Sequence, residues 1–392
     1  MILERQLSAT LRRLAGGFPV VTMTGPRQSG KTTLARRVFA DKPYVSLEDP
    51  VEREFAQADP RGFLQRFTAG AVFDEAQRWP DLFSHLQGLV DADRQPGRFV
   101  LTGSQQFGLL SGVTQSLAGR AGMTRLLPLS LAEMPRVPDL DTTMLLGGYA
   151  PLHVSPVAPQ DWFASYVSTY IERDVRQITR VQDLSQFQRF VRLCAGRTGQ
   201  LLNIANLAQE AGVAQGTARS WLSILEASDL IHLLPPYHRN FGKRLVKSPK
   251  LYFLDVGLAC YLLGVRDPQT LRLHPFRGAL FETLIVSECL KVRFNAGRQA
   301  DLYFWRDNNG LEADLLFETA EGLQPVEIKS GATVTTDMIR AGQRAGRFAA
   351  SEALPPWLIY GGDEGYQRSG VQVMSWRALD GLRRMLGGED GG

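Results

Sequence analysis

Residues 18–39 read FPVVTMTGPRQSGKTTLARRVF, and this stretch decides the fold. Phe18–Met23 is a short β-branched, apolar run, the pattern of a buried strand. It feeds directly into Gly25-Pro26-Arg27-Gln28-Ser29-Gly30-Lys31-Thr32, a GxxxxGK[ST] loop, and then into a helical Thr33–Phe39. Glycines at Gly25 and Gly30 let the backbone bend until successive N–H groups point inward at phosphate oxygens. Lys31 brings a point charge to the β- and γ-phosphates, and the Thr32 hydroxyl is placed to coordinate Mg²⁺. The helix that follows turns its N-terminal dipole toward the same anion. Gly25, Gln28, Ser29, Gly30, Lys31, Thr32 and Thr33 are therefore the expected nucleotide-binding residues, with ATP as the nucleotide.

Two later strands complete this site. Ala71-Val72-Phe73 is apolar and ends in the adjacent carboxylates Asp74 and Glu75. Side chains alternate along a strand, so the two leave its end in different directions. Asp74 is expected to hold Mg²⁺ through water and Glu75 to polarise the attacking water. Phe99–Leu101 is a third apolar run whose small polar tip, Thr102-Gly103-Ser104, offers a hydroxyl to orient that water or to sense the γ-phosphate.

These pieces resemble the AAA-type branch of the P-loop ATPases, with Ser104 in the sensor position. In such proteins an arginine completes the site. Arg120 is the preferred candidate and Arg125 follows it; whether Arg120 serves its own nucleotide or a neighbour's stays open. A trans-acting arginine implies a homo-oligomer.

Composition sets the outer limits. With 44% apolar and 21% charged residues over 392 positions, the chain is globular and long enough for two or three domains. No apolar stretch is long enough for a membrane-spanning helix, and Met1–Gly17 reads as an amphipathic helix carrying Arg5, Arg12 and Arg13. Three widely spaced cysteines and five scattered histidines point to neither a disulfide framework nor a zinc site. A cytoplasmic protein is expected. The net charge of +4 is unevenly spread: residues 151–275 hold fourteen Lys and Arg against nine Asp and Glu. A polyanion is the natural partner for such a segment.

Within it, Asp161–Arg192 has helical spacing. Asn203–Glu210, a turn at Gly212, and Ala214–Ala227 then form a helix-turn-helix pattern, with Gln215, Thr217, Arg219 and Ser220 on the second helix. A strand at Ile231–Leu234 and a wing are expected next. Pro235–Leu254 carries Arg239, Lys243, Arg244, Lys247 and Lys250 and no acidic residue. Such a run suits contact with the phosphates of DNA, through counterion release. A winged helix can equally serve as a rigid lever that touches no DNA.

The last third supplies a second acidic set. Arg277–Glu288 reads as a helix with Glu282 near its start; Leu302–Arg306 and Leu311–Phe317 form strands about a turn at Asp307–Gly310, and Pro325–Lys329 forms another strand. Glu327 and Lys329 lie two apart and share a face, and Asp314 can meet Glu327 across the pair. Asp314 and Glu327 converging with Lys329 would bind Mg²⁺ or Mn²⁺ and steer an attacking water. This set resembles the PD-(D/E)xK nuclease core, although Glu312-Ala313 stands before Asp314 where that pattern has a proline. The resemblance implies Glu282 as a further ligand.

The whole chain resembles a widespread family of prokaryotic ATPases. The motifs that carry the likeness are GGYAP (Gly147–Pro151), YIERDV (Tyr170–Val175), RTGQLLN (Arg197–Asn203), KRLVKSPKLYFLDVGLA (Lys243–Ala259), GALFE (Gly278–Glu282), LEADLLF (Leu311–Phe317) and PVEIKS (Pro325–Ser330). The resemblance implies an α/β architecture in three parts. A P-loop AAA-type ATPase domain covers 1–155, a helical and winged-helix domain 156–255, and a restriction-endonuclease-like α/β domain 256–392. The function expected is ATP hydrolysis coupled to remodelling or processing of DNA, with metal-dependent cutting as a further activity. Two other readings remain open: a regulatory switch whose nuclease-like domain binds a partner without cutting, and a DNA-binding regulator in which ATP only sets the oligomeric state.

Overall fold

The computed structural model describes residues 3–104, 113, 116–171, 184–237, 247–307, 310–346 and 353–387. The chain divides into two compact units. The first is Met1–Leu129 with the short segments Ala227–Asp229 and Arg293–Arg298; the second takes Ser130–Glu226, Leu230–Val292 and Gln299–Gly392. Apart from Ala227–Asp229 and Arg293–Arg298, the span 156–392 falls in the second unit.

The first unit is built on an all-parallel five-stranded sheet. Its strands are β1 (Val20–Thr24), β2 (Tyr44–Ser46), β3 (Ala71–Asp74), β4 (Phe99–Thr102) and β5 (Ala121–Arg125), in the order β2-β3-β4-β1-β5. Parallel sheets are covered on both faces, which is why β1, β3 and β4 are buried throughout. The two-residue period sorts their side chains cleanly. Val20, Phe73, Phe99 and Leu101 enter one core with Phe63, Trp79 and Phe83; Val21, Met23, Val72 and Val100 enter the other with Leu7, Leu11 and Leu34. The N-terminal helix runs from Leu7 to Ala15 and buries Leu7, Thr10 and Leu11, so Arg5 lies just outside it.

Strand order positions the site. β4 lies between β1 and β3 and pairs with both in parallel, with Met23 opposite Thr102 and Phe73 opposite Leu101. The carboxyl ends of all three strands therefore emerge together, the usual place for ligands in open α/β sheets.

In the second unit, β6 (Gln200–Leu201), β7 (Ile231–Leu234) and β8 (Lys250–Phe253) form an antiparallel sheet ordered β6-β8-β7. Helices Ile204–Ala211 and Gln215–Ala227 precede β7. The Asn203 side chain caps the first helix by accepting from the Asn206 N–H at 3.0 Å, and Gly212 closes it in the left-handed region at φ 74°. The second helix buries Ala218, Trp221, Leu222, Ile224 and Leu225.

A six-stranded mixed sheet completes this unit, made of β9 (Tyr303–Arg306), β10 (Glu312–Thr319), β11 (Gly322–Lys329), β12 (Trp357–Tyr360), β13 (Tyr366–Arg368) and β14 (Val371–Ser375). The order is β13-β14-β12-β11-β10-β9. β9, β10 and β11 are antiparallel neighbours, whereas β11, β12 and β14 run parallel. Glu282 lies on the helix Arg277–Asn295. Among the described residues no helix is long and apolar enough to cross a membrane.

Candidate functional site

The loop between β1 and the helix Lys31–Val38 has the backbone its sequence demands. Gly25 sits at φ +147°, and a Cβ there would lie 2.1 Å from the Leu126 carbonyl oxygen, so only glycine fits. Gly30 (φ 95°) and Gln28 (φ 63°) are also left-handed. Lys31 is buried; its Nζ donates to the carbonyls of Gly25 at 2.9 Å and Pro26 at 2.8 Å. Burial pulls its pKa down, against the opposing pull of Glu75, Asp74 and Asp229. Ser29, 1% exposed, has an Oγ with no hydrogen-bond partner among the described residues.

Asp74 is caged by hydroxyls. Its Oδ2 accepts from Thr32 Oγ1 at 2.7 Å and from the Tyr44 hydroxyl at 2.6 Å, and its Oδ1 accepts from Thr102 Oγ1. Burial, then the bond to Asp74, holds the Tyr44 phenol well above its usual pKa. Thr32 and Asp74 thus bring two hard oxygen donors side by side at the loop, and this donor set fits a magnesium ion. Glu75 leaves the strand in another direction, at φ 55°, and its Oε2 accepts from Ser104 Oγ at 3.0 Å and from the Gln77 amide. Ser104 therefore meets Glu75, whereas Thr102, the other hydroxyl at that strand tip, bonds to Asp74; Tyr44 and Gln77 are additions that the sequence did not single out.

Of the two readings left open for Arg120, the sheet excludes the one in cis. β5 pairs with β1 in parallel, Val20 opposite Ala121 and Thr24 opposite Arg125. Arg120 therefore stands at the amino end of the sheet, away from the loop that leaves the carboxyl end of β1. It makes a fork on Asp91, Nε to Oδ1 at 2.6 Å and the second nitrogen to Oδ2 at 2.8 Å. It cannot reach the nucleotide held by its own loop. Arg125 is at the loop's end and ion-pairs with the buried Asp229. Arg5 was overlooked. Its guanidinium is buried against the underside of the loop, donating to the Ser29 and Leu127 carbonyls at 2.6 Å each. Only its place in a basic, amphipathic N-terminal stretch hinted at it.

A protein with this loop, this strand order and this acidic pair has counterparts. The model of an AAA domain matches residues 17–135, and two models described as domains of unknown function match 137–269 and 277–379. Uncharacterized protein Rv2008c of Mycobacterium tuberculosis is 35% identical over 338 residues, covering 85% of this chain and 75% of that one. Uncharacterized protein Mb2031c of Mycobacterium bovis matches with the same figures. The chain belongs to the family of these two proteins. It carries an AAA domain over residues 17–135 and is an ATPase. Among solved structures, the Walker-type ATPase paby2304 of Pyrococcus abyssi matches at 15% identity and a TM-score of 0.45, over 67% of this chain and 96% of that one. AMPPCP-bound DnaA from Aquifex aeolicus matches at 12% identity and a TM-score of 0.28, over 56% of this chain and 85% of that one.

The second acidic set of this ATPase also converges, but around a lysine. The register of β10 and β11, with Leu315 opposite Val326, sets Asp314 across from Glu327. Asp314 Oδ2 accepts from the Ile328 N–H at 2.9 Å, and Lys329 lies 3.4 Å from Asp314 and 2.5 Å from Glu327. Glu282 accepts from the Tyr252 hydroxyl and from Lys250 Nζ, the latter at 3.0 Å. Lys250 is 3% exposed and also 2.6 Å from Glu312. It is therefore no surface contact for DNA: it opens the buried strand β8 and its amine is consumed by carboxylates. Burial works to lower the Lys250 pKa, yet Glu282, Tyr252, Asp314 and Glu312 hold it well above the usual value. Glu282 and Glu327 are both pushed up to about 7, chiefly by burial.

Of the other basic residues expected at DNA, Arg219 and Lys247 are exposed, and Arg239, Lys243 and Arg244 lie outside the described residues.

Proposed function

We propose that this ATPase couples ATP turnover to the placement of a DNA-binding winged helix. Lys31 and the loop amides hold the triphosphate, and Glu75, steered by Ser104 and Gln77, polarises the attacking water. A magnesium ion held by Thr32 and Asp74 would neutralise the β- and γ-phosphate charge. Tyr44 and Thr102 keep the Asp74 carboxylate from rotating away from that duty.

One observation carries the coupling. The helix Gln215–Ala227 has an exposed polar face of Gln215, Arg219, Ser220 and Ser223. The helix ends at Ala227, and Ala227–Asp229 belong to the nucleotide-binding unit. There Asp229 ion-pairs with Arg125 at the loop end of β5, and its charge acts on Lys31. A change at the phosphates would reach the chain that leaves the helix through this aspartate. The helix, the turn at Gly212 and the sheet β6-β8-β7 support the winged-helix reading, and a polar face with one arginine suits groove contact.

The test is anisotropy of a labelled duplex with the ATP-bound Glu75→Gln variant over a salt series. Affinity should fall steeply as salt rises, and Arg219→Ala should flatten the slope by about one counterion. Binding that is absent or indifferent to salt sinks the DNA reading. The non-cutting version of the C-terminal domain is favoured over the cutting one, because Glu282 and Asp314 already hold Lys250 and Glu327 holds Lys329.

A further inference from the structure

Four carboxylates of the second unit, Glu282, Glu312, Asp314 and Glu327, gather from the helix Arg277–Asn295 and the strands β10 and β11. Three of them surround one amine. Lys250 Nζ is 3.0 Å from Glu282 Oε1, 2.6 Å from Glu312 Oε1 and 3.9 Å from Asp314 Oδ1. From this geometry we infer that the Lys250 ammonium stands where a divalent ion would, and that the chain binds neither magnesium nor manganese at Glu282, Asp314 and Glu327.

A hard divalent ion needs carboxylate oxygens at about 2.0–2.6 Å, and an ammonium beside Glu282 and Asp314, two of the three expected ligands, opposes it sterically and by charge. The amine is not free to swing aside. Lys250 opens β8, the central strand of its sheet, with Gln200–Leu201 on one side and Leu233–Leu234 on the other. Its Nζ also lies 5.5 Å from the centre of the Phe304 ring. Withdrawing it leaves buried carboxylates uncompensated, which is strongly unfavourable.

Further contacts tie up the same carboxylates. Glu327 and Asp314 share Lys329, Asp314 accepts from the Ile328 amide, Glu312 pairs with Arg306 at 3.4 Å, and Glu282 accepts from Tyr252. Accordingly, no group of three or more acidic, histidine or cysteine side chains among the described residues is arranged to hold a metal ion. The carboxylates are committed to Lys250, Lys329 and Arg306, which works against metal-dependent cleavage of a phosphodiester there.

The experiment is a manganese titration of the full chain, without nucleotide, reading free Mn²⁺ by electron paramagnetic resonance. Wild type and Asp314→Asn should bind the same number of equivalents. Lys250→Met should take up one more, and Lys250→Met with Asp314→Asn should lose it again. A wild-type equivalent removed by Asp314→Asn overturns the inference, as does a folded Lys250→Met chain that gains none. A second measurement needs no variant: amine acylation read by mass spectrometry. Lys250 should stay protected with or without manganese, and labelling that rises with the metal overturns the inference equally.

Discussion

The Tyr44 hydroxyl donates to Asp74 Oδ2 across 2.6 Å, the same oxygen that accepts from Thr32. A residue from the short edge strand β2 thus fixes the carboxylate at the end of β3, with Ser46 opposite Asp74 in the register. Tyr44→Phe removes one of the three hydroxyls around Asp74 without changing shape. A lost hydrogen bond to a charged group is worth about 1.5–3 kcal/mol, so kcat should fall by about ten- to hundredfold, with a smaller change in KM. Phosphate release over a range of ATP concentrations measures both; an unchanged kcat means that Tyr44 has no hold on catalysis.

Lys31→Ala and Glu75→Gln should separate binding from chemistry. The first should lose turnover with the fold intact, because the buried amine facing the loop carbonyls is removed. The second should still bind ATP but hydrolyse it about 10²–10⁴-fold more slowly. Titration with a fluorescent ATP analogue beside phosphate release distinguishes them, and circular dichroism checks the fold.

Arg120→Ala should leave turnover of dilute protein within about twofold of wild type, since an exposed fork on Asp91 contributes little. A collapse of turnover under those conditions contradicts the placement of Arg120 at the amino end of the sheet.

The second unit should lose stability as pH rises from about 4.5 to about 7. Burial raises the folded pKa of Glu282 and Glu327 above the unfolded value, so between those limits the folded state holds more protons and deprotonation favours unfolding. Each group contributes at most about 1.4 kcal/mol per pH unit. Thermal unfolding across this range, compared with Glu327→Gln, checks the sign: the variant should show the shallower decline.

Where sequence and structure agree, local pattern and tertiary role coincide. The β-branched run before Gly25 is buried on both faces, and no other residue type satisfies the backbone of Gly25 and Gly30, so the loop was readable without any contact being known. Asp74, Glu75 and Ser104 were readable for the same reason, as polar residues ending apolar strands. Tyr44 was not, because its importance depends on β2 lying next to β3, a fact of strand order that no spacing encodes. Arg120 was misplaced because a motif gives proximity along the chain, whereas parallel pairing sends Arg120 and Arg125 to opposite ends of one strand. Lys250 was misread for a different reason. It closes an acid-free basic run, and only long-range packing brings Glu282, Glu312 and Asp314 to its amine.

The measurement that bears most directly on the account is steady-state ATP turnover with and without duplex DNA, for wild type and Asp229→Asn. DNA should accelerate the wild-type enzyme, the effect should fade as salt rises, and Asp229→Asn should still turn over ATP yet ignore DNA. A wild-type rate that is the same with and without DNA at low salt contradicts the account.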